Sequence, residues 1–217
     1  MKIFATSDIH GNIEIMNKLR ASIANELLGV ELIVFCGDAG ARLGDIAGQQ
    51  RDIANLRDVF QGLGIECRFV RGNIDGFTPN GKFYLNAEEE IAGESFVPFE
   101  SILKTPFGTH REVDEEQMHA DLQGLGDCCG KIIVAHNPPF GAVDKVPSGA
   151  NVGSHSIADW ITKNAPKIWL CGHVHESFGE SKIGETLVLN CACDNGNDLL
   201  RGWLVDTETL IHSKVCV

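Results

Sequence analysis

Ile3-Phe4-Ala5-Thr6-Ser7-Asp8-Ile9-His10-Gly11-Asn12 sets the pattern of the chain: an apolar run, then oxygen and nitrogen donors, then a helix-forming segment. Residues 3–6 read as a buried strand, with Asp8 and His10 just past its carboxyl end. From residue 12 to 28 the apolar residues Met16, Leu19, Ile23 and Leu27 recur with helical period, and Gly29 supplies a stop. A strand feeding a helix through a donor-bearing loop is the unit of an open α/β sheet, whose sites form where strands end.

The signature recurs four times. Gly37-Asp38 follows the apolar run 32–36, and Gly72-Asn73-Ile74-Asp75 follows 68–70. His136-Asn137-Pro138-Pro139 follows 132–135, and Gly172-His173-Val174-His175 follows 168–171. Between the second and third runs a helix is expected with Ile53, Leu56, Phe60 and Leu63 on one face, closed by Gly62 and Gly64. Residues 77–111, with Pro79, Pro98 and Pro106, read as hairpins and loops. Asp114 and Gln117 form the pattern of a capping box opening a helix over 114–125, ended by Gly126 or Gly130. Residues 140–153 read as a polar loop over the site, before a short helix capped by Ser156 and Asp159 and stopped at Asn164-Ala165-Pro166. Strand-like runs at 186–190, 203–205 and 210–215, with a turn at 206–209, are expected to build a second sheet packed on the first.

The 217 residues, 43% of them hydrophobic, suffice for one sizeable core, so a single domain spanning 1–217 is expected. Eighteen basic against 30 acidic residues give a net charge of -12, which disfavours duplex nucleic acid and membrane surfaces and favours a compact ligand. No run of 18 apolar residues occurs and Met1-Lys2-Ile3 leads straight into a strand, so a soluble, cytoplasmic protein is expected. Of the eight cysteines, Cys36 and Cys171 end buried strands and read as packed, reduced thiols. Cys128-Cys129 and Cys191-Ala192-Cys193 lack the spacing of a zinc ribbon.

Together the motifs offer the carboxylates of Asp8 and Asp38, the carboxamide of Asn73 and the imidazoles of His10, His136, His173 and His175. Two divalent ions held close together need a bridging anion, neutral donors and open positions for water and substrate. Asp38, after a permissive glycine, is suited to bridge, and Asp38, Asn73 and His136 are the catalytic candidates. His10 reaches the same ion as Asp8 if the strand end bends. His173 and His175 share one side of an extended chain, whereas a tight turn sends them to separate ions. Such a donor set accepts Mn²⁺, the favoured ion, and also Fe, Zn²⁺, Co²⁺ or Ni²⁺.

The ordered set, from Asp8 to His175, resembles the calcineurin-like metallophosphoesterase superfamily. Thr105-Pro106-Phe107, the run from His136 through Phe140-Gly141, and Gly153-Ser154 before Trp160 resemble a small prokaryotic branch of Icc-related phosphoesterases. The superfamily resemblance implies a four-layer α/β/β/α sandwich of two mixed sheets. It also implies one ion on Asp8, His10, Asp38 and His175, a second on Asp38, Asn73, His136 and His173, and a hydroxide between them that attacks phosphorus. Many members carry histidine where this chain has Ile74, which cannot donate a proton. The resemblance therefore implies a phosphodiesterase, and the negative charge a compact substrate, nucleotide-like or another small organic phosphate. Its rivals are a scaffold that lost turnover, as retromer-type members are thought to have done, and a phosphomonoesterase acting on phosphoproteins. Water, His155 or His110 could replace the lost acid, although both histidines read first as solvated loop residues. Asp75 is expected to cap the following turn, and Arg71 and Arg42 to be solvated or ion-paired rather than bound to phosphate. His119 and His212 read as structural or surface residues. The oligomeric state is left open by the sequence, with exposed strands near Trp203 able to pair across a dimer.

Overall fold

A computed structural model describes residues 1–22 and 29–217. The chain begins with two β-loop-α units: β1 (Lys2–Thr6), α1 (Ile13–Ser22), β2 (Leu32–Phe35), α2 (Ile46–Gly62), and then β3 (Glu66–Phe69). A hairpin of β4 (Glu89–Ile91) and β5 (Glu94–Phe99) follows, then the short parallel pair β6 (Ile102–Leu103) and β7 (Glu112–Val113), and α3 (Glu115–Gln123). β8 (Ile132–Ala135), α4 (His155–Asn164) and β9 (Ile168–Cys171) precede two more hairpins, β10 (Gly179–Ile183) with β11 (Thr186–Asn190), and β12 (Arg201–Asp206) with β13 (His212–Cys216).

Two mixed sheets result, in the orders β13-β12-β1-β2-β3 and β10-β11-β9-β8-β5-β4. The strands that lead into donor motifs run parallel within each sheet, and β1, β2, β8 and β9 are almost wholly buried. That is why they read as continuous apolar runs. Side chains alternate across each sheet and sort into three cores. Phe4, Ile33, Phe35 and Phe69 face Leu19, Leu56 and Phe60 of α1 and α2. Ile3, Val34, Ile132, Leu170 and Trp203 fill the space between the sheets. Ile133, Trp169 and Val188 pack on Met118, Leu122, Ile157 and Trp160 of α3 and α4. The layers are α/β/β/α.

The late strands do not form the second sheet by themselves, because β12 and β13 extend the first sheet and only β10 and β11 join the other. Trp203 is 1% exposed, and its indole Nε1 donates to the Asn190 carbonyl at 2.9 Å, tying β12 to the end of β11. With β1 on one side and β13 on the other, its strand has no free edge, and the edge of the sheet beside it is β13.

Helix limits follow tertiary contacts. The part of the first expected helix carrying Ile23 and Leu27 lies outside the described residues. Asp114 Oδ1 accepts from Gln117 N at 3.0 Å, but the Gln117 side chain donates to Asp121 instead of reaching back, so half of the capping box forms and α3 ends at Gly124. α4 is capped by Ser154, which accepts from Ile157 N at 3.2 Å. Ser156 does not cap, because its hydroxyl donates to the Glu115 carbonyl at 2.9 Å. All eight cysteines are free, six of them buried. Among the described residues no helix is long and apolar enough to cross a membrane.

Candidate metal centre

The two sheets are stitched together where their parallel strands end. Ser7, just after β1, bridges Ala192, just after β11: Ser7 N donates to Cys191 O at 3.1 Å and Cys193 N to Ser7 O at 3.0 Å. Gly172 N donates to His136 O at 3.0 Å, joining the exits of β9 and β8. Five loops thus face one another. Side chains at two positions would prevent it. A Cβ on Gly172 would overlap Ser7 Oγ and Asp8 Oδ2, and one on Gly37 would strike the Gly72 backbone and the His136 ring.

Asp8, His10, Asp38 and His173 all have positive φ, at 58°, 48°, 58° and 71°. Such backbone costs about 1–3 kcal/mol per residue and persists where surrounding contacts fix it, commonly at functional sites. Here Asp8 N bonds Gly37 O at 2.9 Å, His10 N bonds Asp38 O at 3.0 Å, and Asn195 Nδ2 donates to Asp8 O at 2.6 Å. The bend at Asp8 to His10 turns His10 back toward Asp8. The tight turn at residues 172–174, with Val174 N on Gly172 O at 2.8 Å, sends His173 and His175 apart.

Seven donors converge. His175 Nε2 is 3.1 Å from Asp8 Oδ1 and 3.4 Å from His10 Nε2, which is itself 3.8 Å from Asp8 Oδ1. On the other side Asn73 Oδ1 lies 3.0 Å from His136 Nε2 and 2.9 Å from His173 Nδ1. Asp38 stands between, its Oδ2 3.7 Å from His10 Nε2 and 3.4 Å from His136 Nε2. Two clusters, Asp8 with His10 and His175, and Asp8 with Asp38 and His136, are each compact enough to hold a divalent ion. The chemistry fits a metal: imidazole, carboxylate and carboxamide donors converging on one space are a donor set for divalent ions.

The remaining lone pairs are occupied, which orients the free ones. Asp8 Oδ2 accepts from Ser7 Oγ at 2.5 Å and His173 N at 3.1 Å, leaving Oδ1 for the site. Asp38 Oδ1 accepts from Ile74 N at 2.8 Å, leaving Oδ2. His136 Nδ1 donates to Cys36 O at 2.7 Å, which leaves the Nε2 lone pair for a ligand bond. Burial raises the Asp8 carboxyl, but His136 and His175 outweigh it and hold it far below the usual carboxylate range. Asp38 is lowered in the same way, burial being outweighed by His136. Burial lowers His136, yet Asp38 and Asp8 push it up to about 9, whereas burial and then His136 bring His173 down to about 4.

Several neighbours carried no readable signal or were read otherwise. Asp75 does not cap the following turn. It is wholly buried and accepts from Asp38 N, Gly72 N and Gly40 N at 2.7, 2.9 and 3.0 Å, bracing the loop that bears Asp38. Arg111 holds the same turn, donating to the carbonyls of Asp75 and Gly72. It lies in a loop without periodicity, so no pattern marked it. Asn137 Oδ1 accepts from Leu103 N at 3.0 Å. His110 is partly buried, with its Nε2 out of solvent beside Gly76 and without a hydrogen-bond partner among the described residues. His155 is exposed and stacks on Phe140 at 3.7 Å. Arg71 is paired with Glu100 at 2.6 Å, Arg42 is exposed, His119 is exposed, and His212 bonds Glu180 at 2.6 Å.

Residues 1–177 match the calcineurin-like phosphoesterase family. The chain belongs to that family. A Methanocaldococcus jannaschii protein of uncharacterised function, MJ1162, is 30% identical over 202 residues, covering 88% of this chain and 87% of its own. The crystal structure of TT1561 of Thermus thermophilus superposes with a TM-score of 0.68 at 16% identity, covering 99% of this chain and 97% of its own. A structure described as a novel archaeal phosphodiesterase gives a TM-score of 0.58 at 16% identity over both whole chains. These likenesses show the same sandwich. With the two clusters above, family membership makes the protein a metal-dependent phosphoesterase in general terms.

Proposed function

We propose that the protein is a cytoplasmic phosphodiesterase of one domain, hydrolysing a small, nucleotide-like phosphate ester at a pair of divalent ions, Mn²⁺ by preference. The observation that carries this reading is the position of Asp38, whose single free oxygen faces His10 on one side and His136 on the other. Asp8, His10, Asp38 and His175 would hold one ion, and Asp38, Asn73, His136 and His173 the other. When bound, such ions lower the pKa of water toward neutrality and offset charge on the phosphoryl oxygens. The chain's own contribution is orientation: Ser7, Ile74 N and Cys36 O each occupy one atom of a donor and aim the other inward. The likeness in fold to the archaeal phosphodiesterase supports the same choice.

Ile74 supports the diester reading through the resemblance, in which branches without histidine there resemble phosphodiesterases, and its side chain has no proton for a leaving alkoxide. A missing general acid costs about 10²- to 10⁴-fold, least where the leaving group is already a weak base. The same residue is the one feature that supports the second reading, a scaffold without turnover. Hydrolysis of bis-p-nitrophenyl phosphate with added Mn²⁺ separates the two. Turnover that falls more than about 100-fold in His136→Ala is expected, since even an outer partner of a metal ligand is worth about 10- to 100-fold. Equal rates in the two proteins contradict the assignment, and a faster rate on p-nitrophenyl phosphate identifies a monoesterase.

A further inference from the structure

A cleft of about 430 Å³ opens beside the metal centre, and His173, one of the seven donors, is part of its lining. One side is contributed by Leu103, Pro106 and Phe107, the other by Val146 and Val152. Phe107 is 77% exposed and Val152 42% exposed, so two apolar side chains are left facing solvent next to the site. Exposed apolar surface gathered around a concave, functional position marks the seat of an apolar group.

Both sides are built rather than loose. On the first, Asn137 Oδ1 holds Leu103 N, so this side hangs from the same motif as His136. Glu112 accepts from Thr105 Oγ1, Thr109 Oγ1 and Thr109 N at 2.5, 2.5 and 2.8 Å, and Phe107 N bonds Thr105 Oγ1 at 3.2 Å. On the second, the buried Asp144 accepts from Gly141 N at 3.1 Å and Gly153 N at 2.8 Å, and Val152 N bonds Asp144 O at 3.1 Å. Backbone held in this way lowers the ordering cost of presenting apolar side chains at binding. The charged residues of the cleft, Lys104 and Glu176, are both exposed and opposite in sign, so no net charge selects an ionic group.

We propose that this cleft receives a flat, uncharged ring carried by the phosphate ester, of the class of a nucleobase, with Phe107 as its stacking surface. The proposal rests on the phosphoesterase reading, since the phosphoryl group at the metals is what delivers the ring past His173. Covering an exposed aromatic face by a second ring contributes about tenfold in affinity.

The test uses the full-length, Mn²⁺-loaded protein and two probes that ester hydrolysis cannot cleave, phenylphosphonate and methylphosphonate, compared by calorimetry. Phenylphosphonate is expected to bind about tenfold or more tighter than methylphosphonate. That gap is expected to shrink to less than about threefold in Phe107→Ala, and again in Val152→Glu, which sets a charge in the cleft. Equal affinities in the unaltered protein overturn the proposal, as does a gap that survives both substitutions. A ring preference without turnover of bis-p-nitrophenyl phosphate upholds the cleft and rejects the hydrolase. Turnover without a ring preference does the reverse, and binding of neither phosphonate together with absence of turnover rejects both. A parallel comparison of adenosine monophosphate with ribose 5-phosphate is expected to show the same gap if the natural ring is a base. Its absence there, with the phenyl gap intact, assigns the cleft to smaller aryl esters.

Discussion

Asp75 accepts backbone amides from Asp38, Gly72 and Gly40 without being a metal donor itself. Burial, and then the charge of Asp38, push its carboxyl up to about 7, so the amides bear the cost of keeping an acid there. Replacing one oxygen by an amide NH₂ in Asp75→Asn turns an acceptor into a donor facing N–H groups. Mn²⁺ affinity is expected to fall by about 10- to 100-fold with the sandwich intact, as titration calorimetry and circular dichroism would show. Unchanged affinity would mean that the Asp38 loop needs no brace. At this scale the seven donors were legible because each follows a buried strand, and the bend at His10 and the turn at His173 were open choices that positive φ resolves. Ser7, Asn195 and Arg111 were not legible. Their work is to bond backbone or a neighbour's spare oxygen, and any serine, asparagine or arginine in a loop looks alike in sequence.

The segment joining β6 to β7 is gathered around one carboxylate, that of Glu112. Glu112 is raised by what burial it has, but hydrogen bonds from Thr105 and Thr109 outweigh this and bring it down from the ordinary glutamate value to about 2. A carboxyl lowered in the folded state contributes stability above its unfolded pKa, and that contribution disappears as pH falls through the folded value. Protection of the Thr109 amide from hydrogen exchange is therefore expected to be constant above about pH 5 and to decline toward about pH 2, ahead of core amides in β8. A profile shared with β8 would show global acid unfolding and contradict the assignment to Glu112. Legibility at this scale followed burial. The parallel strands declare themselves as unbroken apolar runs, whereas the caps of α3 and α4 depend on which tertiary partner takes a side chain first. Ser156 had the pattern of a cap but bonds Glu115, and Ser154 caps in its place. The sheet that each late hairpin joins was equally hidden, because alternation shows that a strand has an inner face but not which sheet lies opposite.

Across the whole molecule, the sandwich brings together residues from 8 to 175 by joining two sheets at one end, through Ser7 on Ala192, His136 on Cys36 O and His173 N on Asp8. Neither sheet holds the donors alone: Asp8, His10, Asp38 and Asn73 follow strands of one, and His136, His173 and His175 follow strands of the other. Sheet-to-sheet register therefore sets the spacing of the ions, and the excess of 30 acidic over 18 basic residues is partly offset when they bind. The most direct measurement is Mn²⁺ titration followed by electron paramagnetic resonance at saturation. Two ions per chain with an exchange-coupled spectrum are expected, replaced in Asp38→Ala by the signal of isolated Mn²⁺. A single ion per chain, or two uncoupled ions in the unaltered protein, would contradict a shared carboxylate at Asp38 and the chemistry built on it.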